Sequence, residues 1–243
     1  MNSSIKSNWA GTGRLLPAFG KLMPMLLMVA SLVGSTAWAN AGKAVAVPPN
    51  AKYQGQSYAE WSAAWWQWLF SLPVDGNPGT DSPDFDVTAG QSGHTWFLAG
   101  PFGTVERHVT IPAGTSLFVA LVNVDASSLE EPPFYGATAA DQLAIANGFA
   151  EYITDLSFSV DGDPVKNIEN FRVTSPQFSF TAPTPWIFGA TGGTGTATGV
   201  GYFVMLPPLS AGTHIIHYTG AFKFSEAPED YIGMDVTYHV TVE

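Results

Sequence analysis

One aromatic-rich segment, residues 57–73, constrains the fold of this chain most strongly. Its sequence, SYAEWSAAWWQWLFSLP, opens with the S-x-x-E pattern of a capping box and ends at a proline, which cannot continue a helix. On a helical wheel the polar positions form one narrow strip: Glu60, Ala64, Gln67 and Ser71. Because nearly the whole circumference is apolar, this helix must be covered on most of its surface, and we predict that it packs against a sheet.

Period-two alternation over the rest of the chain indicates β-strands. Residues 234–242 alternate apolar with polar positions, and residues 105–111 repeat the pattern. The run 117–124 is apolar on both faces except at Asn123, which is typical of a strand covered on both sides. Turn-forming residues, 25 glycines and 18 prolines, separate these short strands. We therefore predict one mainly β domain over residues 57–243, a two-sheet antiparallel, jelly-roll-like sandwich with an N-terminal Trp-rich helix.

Three further segments complete the predicted order of elements. A second helix is inserted over residues 138–153, with Leu143 on its apolar face. The dipeptide Asp161-Gly162 predicts the turn of a β-hairpin. The glycine- and threonine-rich residues 189–199 are predicted to form a loop.

The N-terminal residues have the pattern of a secretory signal peptide. Three basic residues precede the apolar run 22–33, and the small-x-small sequence Ala37-Trp38-Ala39 follows it. We expect a signal peptide over residues 1–39, cleavage before Asn40 and a flexible lead-in over residues 40–56. The apolar run is shorter than the roughly 20 residues of a transmembrane helix, so no membrane span is expected after cleavage. The predicted location is the periplasm or the cell exterior.

Composition excludes several classes of function. The chain carries 20 acidic against 9 basic residues, for a net charge of −11, which repels nucleic acid and anionic lipid alike. It has no cysteine, so disulfides, thiolate metal sites and cysteine nucleophiles are all ruled out. Nucleic acid is therefore not an expected partner.

Four segments carry a resemblance. EWSAAWWQWLFSLP (60–73), GHTWFLAG (93–100), IPAGTSLF (111–118) and LPPLSAGTHIIHYTG (206–220) resemble segments of a loosely defined set of secreted bacterial proteins with sandwich-like β folds. No activity is attached to that set. The resemblance therefore implies secretion and a β fold, and it implies no catalytic residue and no ligand.

Two polar side chains occupy apolar registers and are the first candidates for a site. Burying a charge without a partner is costly, so Arg107 reaches a rim, pairs with an acid such as Glu60, or lines a ligand pocket. Asn123 interrupts the apolar central strand. A pocket around Arg107 and Asn123, with Glu60 and Gln67 from the helix, would suit a small polar or carbohydrate-like ligand. The tryptophan faces of the helix could stack on sugars, although such residues more often belong to a core.

A second candidate is a calcium site in the acidic loop. Five hard oxygen donors occur within twelve residues: Asp75, Asn77, Asp81, Asp84 and Asp86. The spacing is not that of an EF-hand, and a solvated acidic turn is the alternative. No cofactor is assigned from the sequence, and calcium is the one that stays open at this loop.

Other metal-ligating and acidic residues give weaker signals. His214 and His217 form an H-x-x-H pair, but on a strand the two rings point to opposite faces. A zinc or copper site would need one of them with His94 or His108, and His239 is expected on a solvated face.

Acids that could serve glycoside hydrolysis are Glu106, Glu130 and Glu131, but that chemistry needs two carboxyl groups at a set separation, which a sequence does not reveal. No nucleophile–base motif is present, and no catalytic residue is assigned. The favoured function is a secreted non-catalytic binding or structural module, and the alternative is a secreted hydrolase acting on polysaccharide or a similar polymer.

Overall fold

The computed structural model describes residues 46–80 and 86–243. The predicted signal peptide, Asn40 and the loop residues Asp81 and Asp84 lie outside these ranges. The helices and strands are α1 (Tyr58–Ser71), β1 (Thr95–Leu98), β2 (Gly103–Ile111), β3 (Ser116–Ser127), α2 (Ala139–Ala150), β4 (Ile153–Val160), β5 (Asp163–Pro164), β6 (Arg172–Thr174), β7 (Phe178–Ala182), β8 (Gly193–Leu206), β9 (Gly212–Lys223) and β10 (Tyr231–Val242). Short 3₁₀ turns at Ile168–Phe171 and Pro228–Asp230 complete the order.

The strands form two five-stranded sheets. Sheet I has the order β1-β3-β8-β6, and β7 also pairs with β8. Sheet II has the order β2-β10-β9-β4-β5. The prediction of a mainly β domain is confirmed. The prediction of purely antiparallel sheets is wrong, because β1 pairs with β3 and β2 pairs with β10 in parallel. Alternation within a strand gives its faces but not the direction of its neighbour, so the sequence pattern could not distinguish these pairings.

Helix α1 begins and ends where the sequence predicts. Ser57 and Glu60 form the capping box, and the helix ends at Ser71, two residues before Pro73. Of its side chains only Glu60, Gln67 and Ser71 are exposed. Trp65 packs on Phe203 of sheet I with ring centroids 5.6 Å apart. The helix is covered on its other side by an aromatic cluster around Phe70, formed by Phe178, Phe180, Trp186 and Phe188.

Helix α2 is shorter than predicted, and its buried face contains Ala146 and Ala150 as predicted but Gln142 in place of Leu143. It ends at Ala150, and Ile153 already belongs to β4. Leu143 is 38% exposed, whereas Gln142 is fully buried. The Gln142 amide donates hydrogen bonds to the carbonyl oxygens of Gly136 and Thr196. The buried face is therefore set by polar contacts of Gln142, which an apolar pattern does not detect.

Part of the predicted loop 189–199 is instead the first half of β8. Residues 193–197 pair with β7, and two glycines of this half of the strand occur where another group comes too close for a side chain. A Cβ atom on Gly199 would lie 2.1 Å from Nε1 of Trp66. A Cβ atom on Gly195 would lie 2.7 Å from Leu129. These glycines leave space for neighbouring side chains. The segment is therefore as rich in glycine as a loop, although it forms a strand.

Residues 46–56, the described part of the predicted lead-in, pack against sheet I. The Val47 N–H donates to the Met205 carbonyl at 2.9 Å, and the Tyr58 hydroxyl donates to the Val47 carbonyl. The Tyr53 hydroxyl lies 2.6 Å from the Ser116 hydroxyl. Residues 46–56 are thus held by hydrogen bonds rather than extended into solvent. In the described ranges, neither helix has the length and apolar character needed to cross a lipid bilayer.

Candidate functional site

A mostly apolar recess in the described part of the protein lies beside the stretch of β3 that β1 does not pair with. Strand β1 pairs with β3 only from Ser116 to Val119, so the following residues of β3 face a cavity of about 340 Å³ on that side. This volume is within the usual range of small-molecule sites. The cavity is lined by Trp65, Trp66 and Leu69 of α1; Gly79; Ala99 to Phe102; Ala120 to Asp125 of β3; Glu130, Phe134, Phe149, Ile187 and Phe188; and Phe222, Phe224, Ile232 and Met234.

Apolar side chains that are unusually exposed surround the cavity. Phe102 is 49% exposed, and Phe188, Ile232 and Phe224 are also among the exposed large hydrophobic residues. All four contribute to the lining of the cavity. Clustered exposed apolar groups at a recess are typical of a binding surface.

A β-bulge brings two polar side chains of β3 to this cavity. The register between β3 and β8 shifts between Ala120 and Asn123, so that Asn123 pairs with Gly201 and Asp125 with Gly199. Gly199 lies against Trp66, on the face of sheet I that α1 covers. Asn123 and Asp125 therefore share the helix-covered face, whereas unbroken alternation would have directed them to the opposite face.

Asp125 and Glu130 form a buried carboxyl pair. Asp125 is 3% exposed and Glu130 is 8% exposed. Burial raises the pKa of Asp125 well above its ordinary value, and the adjacent Glu130 carboxyl raises it further. Burial also raises the pKa of Glu130 to about 7. The two groups hydrogen-bond to each other, which requires a proton between them. The pair therefore holds at least one proton at neutral pH.

Trp66 also lines this cavity, and its indole N–H, which lies against Gly199, is an unused donor. Within residues 46–80 and 86–243, Nε1 of Trp66 has no hydrogen-bond acceptor. In the same described ranges Asp125 Oδ2 and Glu130 Oε2 have no hydrogen-bond partner, although the Ser127 side chain hydrogen-bonds to the Glu130 carboxyl group. Buried polar groups normally have partners, so a donor and two acceptors of this kind in one cavity indicate a ligand.

Arg107 supports the cavity wall from behind. Its guanidinium is 5% exposed and donates hydrogen bonds to the carbonyl oxygens of Pro78 and Ala99, at 3.1 and 2.9 Å. A longer bond reaches the carbonyl of Thr80, and the hydroxyl of Tyr238 also accepts from Arg107. Ala99 lines the cavity, and so does Gly79, which lies between Pro78 and Thr80. The Arg107 side chain thus links the segment 78–80 to Ala99, and it stabilises this part of the cavity wall without lining the cavity.

The other residues predicted for this pocket lie elsewhere. The Glu60 carboxylate is exposed and accepts hydrogen bonds from Ser57 in the capping box. Gln67 is exposed and donates to the Ser179 carbonyl. Of the four residues predicted to bind a ligand, Asn123 is the one that lines the cavity.

Two of the predicted calcium ligands already have local partners. Asn77 is fully buried; its amide donates to the Leu69 carbonyl at the end of α1 and accepts from the Gly79 N–H. The Asp86 carboxylate accepts from the N–H and the hydroxyl of Thr88. Asp75 is exposed. The calcium site stays a prediction, and its other two ligands lie outside the described ranges.

His214 and His217 lie on opposite faces of β9, as the alternation of side chains along a strand predicts. His214 pairs with Val240, on the inward register of sheet II, and its ring contacts Asp161 and Ser210. His217 lies on the outward face and contacts Asp235. His94 is exposed.

The tryptophans of α1 are at most 7% exposed, so they have no free surface on which a sugar could stack outside the cavity.

The sequence interpretation missed Asp125 and the role of Trp66. Asp125 follows the apolar run directly and was therefore placed beyond the strand, although β3 extends to Ser127. An acid flanked by Val124 and Ala126 in a strand of buried residues was the available signal. Glu130 was named only as a general carboxylate source. Its distance from Asp125 depends on the turn after β3, which no periodic pattern describes.

The comparisons with known proteins add little. A comparison with protein-family models gives no match, and a comparison with curated protein sequences also gives none. Two solved structures are weakly similar. One is a cysteine protease inhibitor from Entamoeba histolytica, at 11% identity and a TM-score of 0.23, covering 63% of this chain and all of the inhibitor. The other is amebosin, at 12% identity and a TM-score of 0.19, covering 59% of this chain and all of amebosin. Similarity this low supports no conclusion about function.

The carboxyl pair makes stability depend on pH in a specific direction. Because the pKa of Glu130 is higher in the folded state than the ordinary value of 4.5, its contribution is fully present below about pH 4.5. That contribution is lost as the pH rises to about 7. We expect Glu130→Gln to exceed the parent in free energy of unfolding by up to about 3 kcal/mol at pH 8, and to match it at pH 4.

Urea denaturation at pH 4, 6 and 8 measures this difference. Glu131→Gln is the matched control, because Glu131 is the exposed neighbour in the sequence. The control should follow the parent at every pH. Equal pH profiles for Glu130→Gln and the parent would show that Glu130 ionises as freely in the folded protein as in the unfolded chain.

Proposed function

We propose that this protein is a non-catalytic binding module for a small, mostly apolar molecule that carries an amine. The observation that carries the proposal is the carboxyl pair Asp125–Glu130 at the wall of an otherwise apolar cavity. Among the lining residues that the structure describes, these two acids are the only charged side chains. An ammonium group would supply the missing hydrogen-bond donors and the opposite charge together.

The rest of the lining supports the apolar part of the ligand. Eight of the described lining residues are aromatic, from both helices, sheet II and the connecting segments, and the faces of such rings also attract cations. The exposed rim of Phe102, Phe188, Phe224 and Ile232 would cover a ligand tail. A purely polar sugar would leave this surface without a partner, so an amphipathic amine fits better than a carbohydrate.

The arrangement of the two sheets belongs to the proposal as well. We infer that they form a sandwich, for which the contact across them at Gly220 is the support: a Cβ atom there would lie 2.4 Å from Val122. Both sheets contribute to the cavity wall, with Val122 from β3 and Met234 from β10.

Secretion after cleavage before Asn40 stays a prediction, and so does the resemblance to secreted bacterial proteins.

Hydrolysis is the second candidate, because a carboxyl group with a pKa near 7 is suited to general acid–base work at neutral pH. Glycosidases of the usual kind hold their two carboxyl groups about 5–9.5 Å apart. Asp125 and Glu130 are in hydrogen-bond contact instead, which disfavours that mechanism. Turnover of chromogenic glycosides or esters that is lost in Glu130→Gln would favour the hydrolase over the binding module.

Three probes with one skeleton test the ligand class: phenethylamine, 2-phenylethanol and ethylbenzene. We expect the amine to bind at least about tenfold more tightly than the hydrocarbon, since hydrogen bonds to charged groups contribute about 1.5–3 kcal/mol. The affinity for the amine should rise between pH 6 and pH 8, as the pair loses a proton. Isothermal titration calorimetry at three pH values gives both results.

Two variants locate the binding. Glu130→Gln should remove the preference for the amine and its pH dependence, and Glu131→Gln should leave both unchanged. Glucose and cellobiose complete the panel. Equal affinities for all three phenyl probes would contradict the role of the carboxyl pair, and tighter binding of a sugar would contradict the ligand class.

A further inference from the structure

The outward face of sheet II holds a second cluster of side chains, separate from the cavity. Glu106, His108 and His239 each offer one ligand atom, and these atoms all lie within 4.8 Å of one another. Nε2 of His239 is in close contact with Oε1 of Glu106. The rings of His108 and His239 stack with centroids 4.6 Å apart and planes inclined by 11°. None of the three lines the cavity.

The backbone fixes this arrangement. Strands β2 and β10 pair in parallel with His108 opposite His239 and Glu106 opposite Thr237. Glu106 and His108 are two residues apart on one strand, so their side chains leave the same face. Strand β10 is held on its other side by β9 along its whole length. The Cα atoms of the three residues therefore cannot separate without breaking paired strands.

We propose that Glu106, His108 and His239 bind one Zn²⁺ ion. Two imidazole nitrogens and one carboxylate oxygen are a donor set that zinc accepts, at metal–ligand distances of about 2.0–2.2 Å. Tetrahedral ligands at those distances lie on the order of 3.3 Å apart. Side-chain rotation alone closes the gap from 4.8 Å, because Glu106 and His108 are exposed. Three protein ligands leave a fourth coordination position open to water or to another ligand.

Charge and donor type select the metal. Arg107, the only basic residue of β2 other than histidine, points into the protein, and β10 contains no lysine or arginine. The overall charge of −11 attracts cations to the surface. Imidazole donors favour zinc and copper, whereas calcium and magnesium require a full set of oxygen ligands. The site is therefore distinct from the predicted calcium loop in both place and chemistry.

Titration calorimetry with ZnCl₂ on the metal-free protein tests the proposal. We expect one equivalent to bind, and we expect His108→Ala and His239→Ala each to weaken binding at least ~10-fold. His217→Ala is the matched control, since His217 lies on the same face but contacts Asp235 instead. It should bind zinc as the parent does. CaCl₂ should give no binding at this cluster.

A second measurement separates ligation from loss of fold. Replacing zinc with Co²⁺ should give the visible absorption of a tetrahedral complex in the parent, in His217→Ala and in Glu131→Gln, and none in His239→Ala. Thermal melting in a chelator verifies that each variant is folded. The proposal is overturned if the parent binds no zinc, or if folded His108→Ala and His239→Ala bind it as tightly as His217→Ala.

Discussion

Trp65→Ala is expected to lower the free energy of unfolding by about 3–5 kcal/mol. Trp65 is 2% exposed and lies between α1 and sheet I, in ring contact with Phe203 at 5.6 Å. Its indole N–H donates to the Leu98 carbonyl at 3.0 Å, so truncation leaves both a void and a buried acceptor without its donor. Urea denaturation monitored by far-UV circular dichroism measures the loss.

Two further variants of α1 show whether the loss of stability comes from the buried ring and hydrogen bond of Trp65. Trp65→Phe keeps most of the ring but loses the hydrogen bond, so it should cost about 1–3 kcal/mol. Gln67→Ala changes an exposed side chain one half-turn away and should cost less than about 1 kcal/mol. A Trp65→Ala protein as stable as Gln67→Ala would mean that the helix does not pack on the sheet as described.

Arg107→Leu is expected to cost a similar amount, about 3–5 kcal/mol. Leucine fills much of the volume but leaves the Pro78 carbonyl oxygen without the Arg107 donor, and it leaves the Ala99 carbonyl oxygen with the Tyr238 hydroxyl alone. Both carbonyls belong to segments that border the cavity. We therefore expect the variant to bind phenethylamine more weakly than the parent even at temperatures where it is fully folded.

Arg172→Leu is the control for a general effect of losing an arginine. The Arg172 guanidinium forms an exposed ion pair with Glu151 at 2.8 Å, and exposed pairs contribute at most about 1 kcal/mol. Arg107→Lys keeps the charge but cannot reach several carbonyls at once, so its stability should lie between those of Arg107→Leu and the parent. Equal stabilities for Arg107→Leu and Arg172→Leu would contradict the supporting role of Arg107.

Local patterns predicted the elements of this fold well. The capping box at Ser57 and the proline at position 73 define α1, because each acts through neighbouring residues. The alternation identified Arg107 as a charged residue in an apolar register but left open a rim, an ion pair or a pocket, and the structure buries the side chain. The first half of β8 was predicted to be a loop. Its glycines Gly195 and Gly199 are required by contacts with Leu129 and Trp66, which are distant in the sequence.

The sites could not be predicted in the same way, because both depend on pairing between distant strands. Asp125 reaches the cavity only through the bulge in β3, and a bulge leaves no mark on apolar alternation. His108 and His239 meet because β2 and β10 are parallel neighbours. His239 was predicted on a solvated face and His108 was named as a possible metal ligand, but nothing in either segment specifies the other as its partner.

The position of β10 between β2 and β9 also determines when this protein can complete its fold during synthesis. About 120 residues separate the end of β2 from the start of β10, which takes on the order of 6–24 s at ~5–20 residues per second. Until then β2 and β9 each present a strand edge to other nascent chains. A ribosome that stops before Tyr231 releases a product whose second sheet lacks the strand that joins its two parts. Such a fragment is a substrate for chaperones and proteases rather than a smaller version of the protein.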